Sequence, residues 1–203
     1  MKGNTRVPVH TEAVIESGAS VHETVTAWRG THVRSGAVVG ANTSLGQYVY
    51  VGPGARIGDN CKIQNGAYIY EPAVVSDGVF IGPRVIFTND RNPRAVTPDE
   101  RPKDANDWTP VGVYVNTGAS IGAGAVCIAP IVIGEWAIVA AGAVVTRDVA
   151  AFSLVVGVPA RWAGWVGRAG IRLERSGDQW ICPSTGDRFV ESDDGASIQN
   201  FPG

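Results

Sequence analysis

The chain has 203 residues, with 17 Lys+Arg against 19 Asp+Glu and a formal net charge of −2. Charges so balanced and scattered exclude the clustered basic stripe that displaces counterions from nucleic-acid phosphates. Glycine reaches 26 of 203 residues, about 13% against a usual ~7%. With 44% hydrophobic and only 18% charged residues, the composition excludes a disordered chain and argues against a helical bundle.

The start of the chain, Met1 to Thr11, lacks the apolar run of a secretory leader. From Ile15 onward an apolar residue recurs every six positions: Ile15, Val21, Ala27, Val33, Val39, Leu45, and on through Val51 to Ile81 and Phe87. Four residues after each of these except Phe87 stands a small or β-branched residue or a cysteine, from Ala19 and Val25 to Val79 and Val85. Glycine follows the apolar position at Gly40, Gly46, Gly52, Gly58 and Gly82. A period of six fits neither a helix nor a simple strand, but suits short parallel strands joined at tight corners. Three such faces make a coil of 18 residues, and stacked coils make a triangular prism. The glycines are expected to supply corner conformations that other residues reach only with strain.

The register breaks after Phe87. The separation from Phe87 to Val115 is 28, not a multiple of six, so the prism is interrupted. The segment of about Asn89 to Trp108, with Pro93, Pro98, Pro102 and a dense run of charges, cannot line an apolar interior and is expected to protrude as a loop. Long loops on rigid scaffolds tend to carry function. The period returns with Val115, Ile121, Cys127, Ile133, Val139 and Val145. Ile121 to Val145 carries only one charge, Glu135, and approaches a membrane-spanning length, but its register makes it repeat. Beyond Val149 the period ends. Trp162 to Glu174 is expected to form a short capping helix, although Gly164, Gly167 and Gly170 each weaken a helix by about 1 kcal/mol. Trp180 to Val190 is expected to form a hairpin around Pro183–Asp187. The resulting division is a β-helix domain over 1–161, its loop at about 89–108, and a helix-and-hairpin extension over 162–203.

Cys61, Cys127 and Cys182 lie far apart with no CxxC spacing, which suggests reduced thiols in a cytoplasmic protein, not a zinc site or a disulfide framework. The histidines are His10, His22 and His32; the His22 to His32 spacing and the absence of any later histidine argue against a three-histidine metal site of the γ-carbonic anhydrase kind. No metal is expected. Residues 18 apart stack, so Arg29, Gln47 and Asn65 form one column, His32, Tyr50 and Tyr68 another, and Glu71 lies beneath Asn89.

With these repeats the sequence resembles the hexapeptide-repeat family, a left-handed parallel β-helix, over about Ile15 to Val149. The resemblance supplies the handedness. The segment Val155-Val156-Gly157-Val158-Pro159-Ala160-Arg161 is similar to the end of the prism in family members that use acyl-coenzyme A. Asn60 to Asp90, with Thr88-Asn89-Asp90 at the loop root, resembles the nucleotide-linked 3-amino-sugar N-acetyltransferases, as does the tail Cys182–Phe189. Within them it looks most like the branch acting on UDP-2-acetamido-3-amino-2,3-dideoxyglucuronate, for bacterial surface polysaccharides; related enzymes take dTDP-linked 3-amino-3,6-dideoxyhexoses.

The resemblance implies acetyl-coenzyme A as cosubstrate, held by Gly142, Gly157, Val158, Pro159, Ala160 and Arg161. It also implies a homotrimer with sites between prisms, and no nucleic-acid or membrane partner. Asn89 and Asp90 are the expected amine-positioning pair, and His32, following Trp28, is the best histidine for a base. Arg29 stands where family members often carry a further histidine. Gln47, Asn65 and Glu71 are expected on the substrate with Arg29, while Arg84 and Arg94 face a sugar carboxylate or the pyrophosphate. A non-catalytic β-helical assembly subunit is the competing reading. It would need neither the loop-root triplet nor the terminal motif.

Overall fold

A computed structural model describes residues 9–201; the first eight residues, most of the stretch read for a leader, and the last two lie outside the described residues. Three parallel sheets form the sides of a prism. The first face stacks Val14–Ile15, His32–Val33, Tyr50–Val51, Tyr68–Ile69, Ile86–Phe87, Val126–Cys127 and Val144–Val145. The second runs from Ser20–Val21 to Ile131–Ile133, and the third from Thr26–Ala27 to Ser153–Val156. This is the expected parallel β-helix. In each two-residue strand the second residue points inward, as Val33, Ile57, Ile69, Ile81 and Phe87 do at 2% exposure or less. Its predecessor points out, because side chains alternate along a strand.

The small residues at the corners are equally buried: Ala37, Ala55, Ala67, Ala73, Ala119 and Ala125 are fully so. Where threonine takes that place, its hydroxyl is satisfied: Thr31 Oγ1 donates to Gly46 O at 2.9 Å and Thr43 Oγ1 to Gly58 O at 2.8 Å. No buried hydroxyl is left without a partner at these two corners.

The glycines after the apolar positions act differently from expectation. Gly40, Gly46, Gly52, Gly58 and Gly82 are not among the residues with positive φ. Their role is close approach: a Cβ on Gly82 would sit 2.7 Å from Ala123 N and 2.9 Å from Gly122 C, backbone of the next coil. The left-handed corners are filled by a second set, such as Gly66 and Gly124, both at φ 67°.

The interruption falls where the register breaks. Tyr68 pairs with Ile86, 18 residues on, but Ile86 pairs with Val126 and Val74 with Tyr114, an offset of 40. The prism therefore resumes on the next face without losing a side. The loop is ordered by its own bonds. Val96 bridges Pro102, Val111 N donates to Asn89 O at 2.9 Å, and Arg101 grips Asp107 with both terminal nitrogens at 2.8 and 2.5 Å. That guanidinium, with the Asp104 backbone N–H, lowers the Asp107 carboxyl to about 2.

The capping helix expected over Trp162–Glu174 is absent. Arg161–Trp165 is instead a strand, antiparallel to Ser153–Val156 on the open edge of the third face. The edge offers a row of unpaired backbone groups, and three glycines in nine residues make a helix the poorer competitor. Glu174–Ser176, Gln179–Ile181, Arg188–Glu191 and Ile198–Phe201 then form a four-stranded antiparallel sheet. Its central pair, Gln179–Ile181 with Arg188–Glu191, lies where a hairpin was expected. A small second core of Phe152, Trp165, Leu173, Cys182, Phe189 and Ile198 joins this sheet to the prism end.

Candidate functional site

The first face and its two flanking corners carry most of the expected site residues. On one corner Arg29, Gln47 and Asn65 stack: Tyr48 N donates to Arg29 O, Gly66 N to Gln47 O and Arg84 N to Asn65 O, at 2.8 to 3.0 Å. Gln47 N also donates to Asn65 Oδ1 at 2.9 Å. Arg84, Gly142 and Gly157 continue along the same corner, all with positive φ. The opposite corner carries Glu71 and, one strand above, Asn89, since Tyr68 and Ile69 pair with Ile86 and Phe87. Arg94 lies exposed in the loop.

The structure does not gather all of these. The third-face strands place Arg29 six strands from Gly157, ~29 Å at the usual spacing. His32 lies on the first face three strands from Ile86, ~14 Å by the same spacing. Its Nε2 is engaged with Glu16 Oε1 at 2.8 Å, and Glu16 also accepts Ser35 N at 2.8 Å and pairs with Arg34 at 2.6 Å. The Ser35 bond, with help from His32 and Arg34, holds the Glu16 carboxyl below its ordinary range despite burial. Arg34 in turn donates to the Tyr50 hydroxyl at 3.1 Å. Within one chain His32 is thus part of an ion-pair network remote from the loop root.

At the loop root the groups converge. Thr88 Oγ1 accepts Ala129 N at 3.0 Å and fixes the strand end, and Asp90 Oδ1 accepts Asn92 N at 2.8 Å in a turn. Glu71 Oε2 is buried without a hydrogen-bond partner. An orphaned buried acceptor is costly and marks where an incoming donor would be rewarded. A cluster that the sequence reading did not assign to the site, Tyr50, Tyr68 and Tyr70, lies beside it with ring centroids 5.2 to 6.3 Å apart. Burial, with the neighbouring Tyr50, Tyr68 and Glu71, pushes the Tyr70 hydroxyl up.

The segment expected to hold coenzyme A closes the first face. Val144 N donates to Gly157 O at 3.1 Å and Ala160 N to Val144 O at 2.7 Å, so Gly157–Ala160 runs beside the last strand of that face. The cysteines take no part: Cys61, Cys127 and Cys182 are free and buried, and burial alone pushes Cys127 up to about 12. Among the described residues, no group of three or more His, Cys, Asp or Glu is placed to hold a metal ion, and no helix is long and apolar enough to cross a membrane.

The prism is a hexapeptide-repeat β-helix. The bacterial transferase hexapeptide (six repeats) matches residues 36–71 and 54–89, and the hexapeptide repeat of succinyl-transferase matches 112–147. The gap between them is the loop. One stretch of 79 residues is 43% identical to dTDP-3-amino-3,6-dideoxy-alpha-D-galactopyranose 3-N-acetyltransferase of Aneurinibacillus thermoaerophilus. It covers 39% of this chain and 41% of that relative, so the match spans less than half of either. A hexapeptide-repeat acetyltransferase of Vibrio cholerae O1 biovar eltor, solved with acetyl-coenzyme A, superposes with a TM-score of 0.55 at 26% identity, over 65% of this chain and 72% of that one. A hexapeptide transferase family protein of Anaplasma phagocytophilum shares the fold with a TM-score of 0.50 at 17% identity, over 81% and 87% of the two chains.

Proposed function

We propose that the protein transfers acetyl from acetyl-coenzyme A to the 3-amino group of a nucleotide-linked amino sugar. The observation that carries this reading is the loop-root corner. There an orphaned carboxylate oxygen of Glu71 lies one strand below Asn89, at the foot of an ordered loop. The sugar amine, with a pKa near ~8 by analogy with an α-amino group, is partly neutral at neutral pH. Asn89 and Asp90 orient it, and Glu71 accepts a hydrogen bond from the substrate. Attack on the thioester carbonyl forms the C–N bond and a tetrahedral oxyanion, which a backbone N–H stabilises. Collapse breaks the C–S bond, and the departing sulfur takes the amine proton, directly or through Asp90. This route leaves His32 in its network with Glu16.

The name of the Aneurinibacillus relative supports a dTDP-linked 3-amino-3,6-dideoxyhexose as the acceptor. The UDP-linked 3-amino uronate stands as a second reading because of the tail Cys182–Phe189. Arg84 and Arg94 are the arginines this reading assigns to a carboxylate or a pyrophosphate in either case. Thiol release from acetyl-coenzyme A is the test, with three acceptors: the dTDP-3-amino-6-deoxyhexose, the UDP-3-amino uronate and its non-oxidised hexose analogue. Strongest release with the dTDP sugar is expected. Preference for the uronate reverses the choice of acceptor, and no release with any, together with no coenzyme A binding, favours an assembly subunit.

The same reading makes the protein a homotrimer. Its first face presents an outward apolar stripe that a small monomer rarely leaves open, including Tyr68 at 42%, Ile86 at 38% and Ile128 at 36% exposure. Threefold symmetry would bury three such faces and create three equivalent clefts. Sedimentation equilibrium should return three times the chain mass of 21.3 kDa, and a monomer at micromolar concentration would overturn the assignment.

A further inference from the structure

Along the prism, one kind of side-chain bond ties a coil to the coil above it. Ala41 N donates to Asp59 Oδ1 at 2.6 Å, Gln47 N to Asn65 Oδ1 at 2.9 Å and Asp59 N to Asp77 Oδ1 at 2.7 Å. Each donor follows one of the close-approach glycines, Gly40, Gly46 or Gly58, and each acceptor stands 18 residues after its donor. The acceptor oxygen lies where a Cβ on that glycine would be, so the missing side chain admits the bond. Each of these corner side chains is thereby latched to backbone.

At Gly52 the same arrangement is built and left unfinished. Glu71 Oε2 lies over Gly52 as Asp77 Oδ1 lies over Gly58. The residue after Gly52 is Pro53, and proline has no N–H to donate. That is why Glu71 Oε2 is buried without a partner. Gly-Pro recurs at Gly82-Pro83, but there the pairing of Ile81 with Ile121 puts Ala123 above the proline, a residue with no side-chain oxygen to strand. Val51 pairs with Ile69 and Ile69 with Phe87, so Pro53, Glu71 and Asn89 stand in one corner column. The withheld bond lies directly below the loop root.

We propose that Pro53 is a positioning residue for the acyl acceptor: by withholding the latch it leaves the Glu71 carboxylate free to turn to a hydrogen-bond donor on the amino sugar. A latched carboxylate gives up a charge-assisted bond before it can meet substrate. Glu71 Oε2 has none to give up, and gains its first partner when the sugar binds. The proposal rests on the acyl-transfer reading and adds to it the residue that keeps Glu71 available.

Pro53→Ala tests it by supplying the missing N–H. The value of kcat/KM for the amino sugar should fall about tenfold, the scale of one hydrogen bond to a charged group, with the KM for acetyl-coenzyme A unchanged. The thermal unfolding midpoint should not fall, because the new bond offsets the rigidity lost with the proline. In a Glu71→Ala background, itself impaired, Pro53→Ala should change kcat/KM by less than about twofold, since the two residues act through one contact. A crystal structure of Pro53→Ala should show the new backbone N–H at position 53 bonded to the Glu71 carboxylate. A kcat/KM within about twofold of the parent, or an equal loss with and without Glu71, overturns the proposal. So does a lowered midpoint with unchanged kinetics, the mark of a proline that only stiffens its corner. If the parent acetylates no amino sugar, the acyl-transfer reading falls by itself and the crystal structure decides the latch: a bond from position 53 to Glu71 supports it, and Glu71 left unbonded overturns it.

Discussion

Phe87→Ala is expected to lower the stability of the protein by about 3–5 kcal/mol, the usual cost of emptying a buried aromatic site. Phe87 is fully buried and is the largest side chain inside the prism proper. It lies between Ile69 and Cys127 in its sheet, one residue before Thr88, which fixes the loop root. Each coil of a solenoid is held mainly by its neighbours. A cavity here therefore loosens the coils on both sides, and the small alanines at the corners offer no side chain long enough to fill it. The loss is a large part of the ~5–15 kcal/mol that keeps a domain folded. Urea unfolding should show a lower midpoint, and Phe201→Ala, at a residue 55% exposed, should leave it nearly unmoved. A loss below about 1 kcal/mol for Phe87→Ala would mean that the interior is not close-packed at this layer.

The prism was legible because its signal repeats. An apolar residue at every sixth position is written thirteen times before the loop, from Ile15 to Phe87, and each instance reads as a face because no other regular structure has that period. The glycines show where the reading stopped short. The sequence reveals that Gly82 follows Ile81, but whether glycine serves a backbone angle or the absence of a side chain depends on how near the next coil comes. At Gly82 the answer is 2.7 Å to Ala123 N. The capping helix failed for a related reason. Local propensity weighs Trp162–Glu174 alone, while the deciding partner is Ser153–Val156, whose free edge is a product of the completed prism.

The candidate site was legible as columns and only on one side of the loop. Counting by 18 put Glu71 beneath Asn89, and the pairing agrees. The same count cannot cross the loop, because the offset there is 40, fixed by the loop returning the chain to the adjacent face. Arg147 therefore could not be aligned with Asn89 from sequence. Beyond the last coil Arg147 shares one cavity with Trp162 and Ala196, which are brought in by the strand that stands in place of the expected helix and by the C-terminal sheet. The engagement of His32 by Glu16 was hidden as well, since the two are 16 residues apart and meet only diagonally across adjacent strands.

Asn89→Ala is expected to lower kcat/KM for the amino sugar about a hundredfold, the scale of losing one donor aimed at a reacting centre. The variant spares the loop base, because the bond from Val111 N is to the Asn89 backbone oxygen, not to the side chain. Asp90 needs two substitutions, since its Oδ1 also latches the turn at Asn92 N. Asp90→Asn keeps an acceptor for that turn and removes only the charge, whereas Asp90→Ala removes both. If the carboxylate assists the proton, Asp90→Asn should reduce kcat, with the KM for acetyl-coenzyme A unchanged. If Asp90 only latches the turn, Asp90→Asn should match the parent and Asp90→Ala alone should fall. The double variant Asn89→Ala/Asp90→Ala decides the site itself: activity within about threefold of the parent would move the chemistry away from this corner.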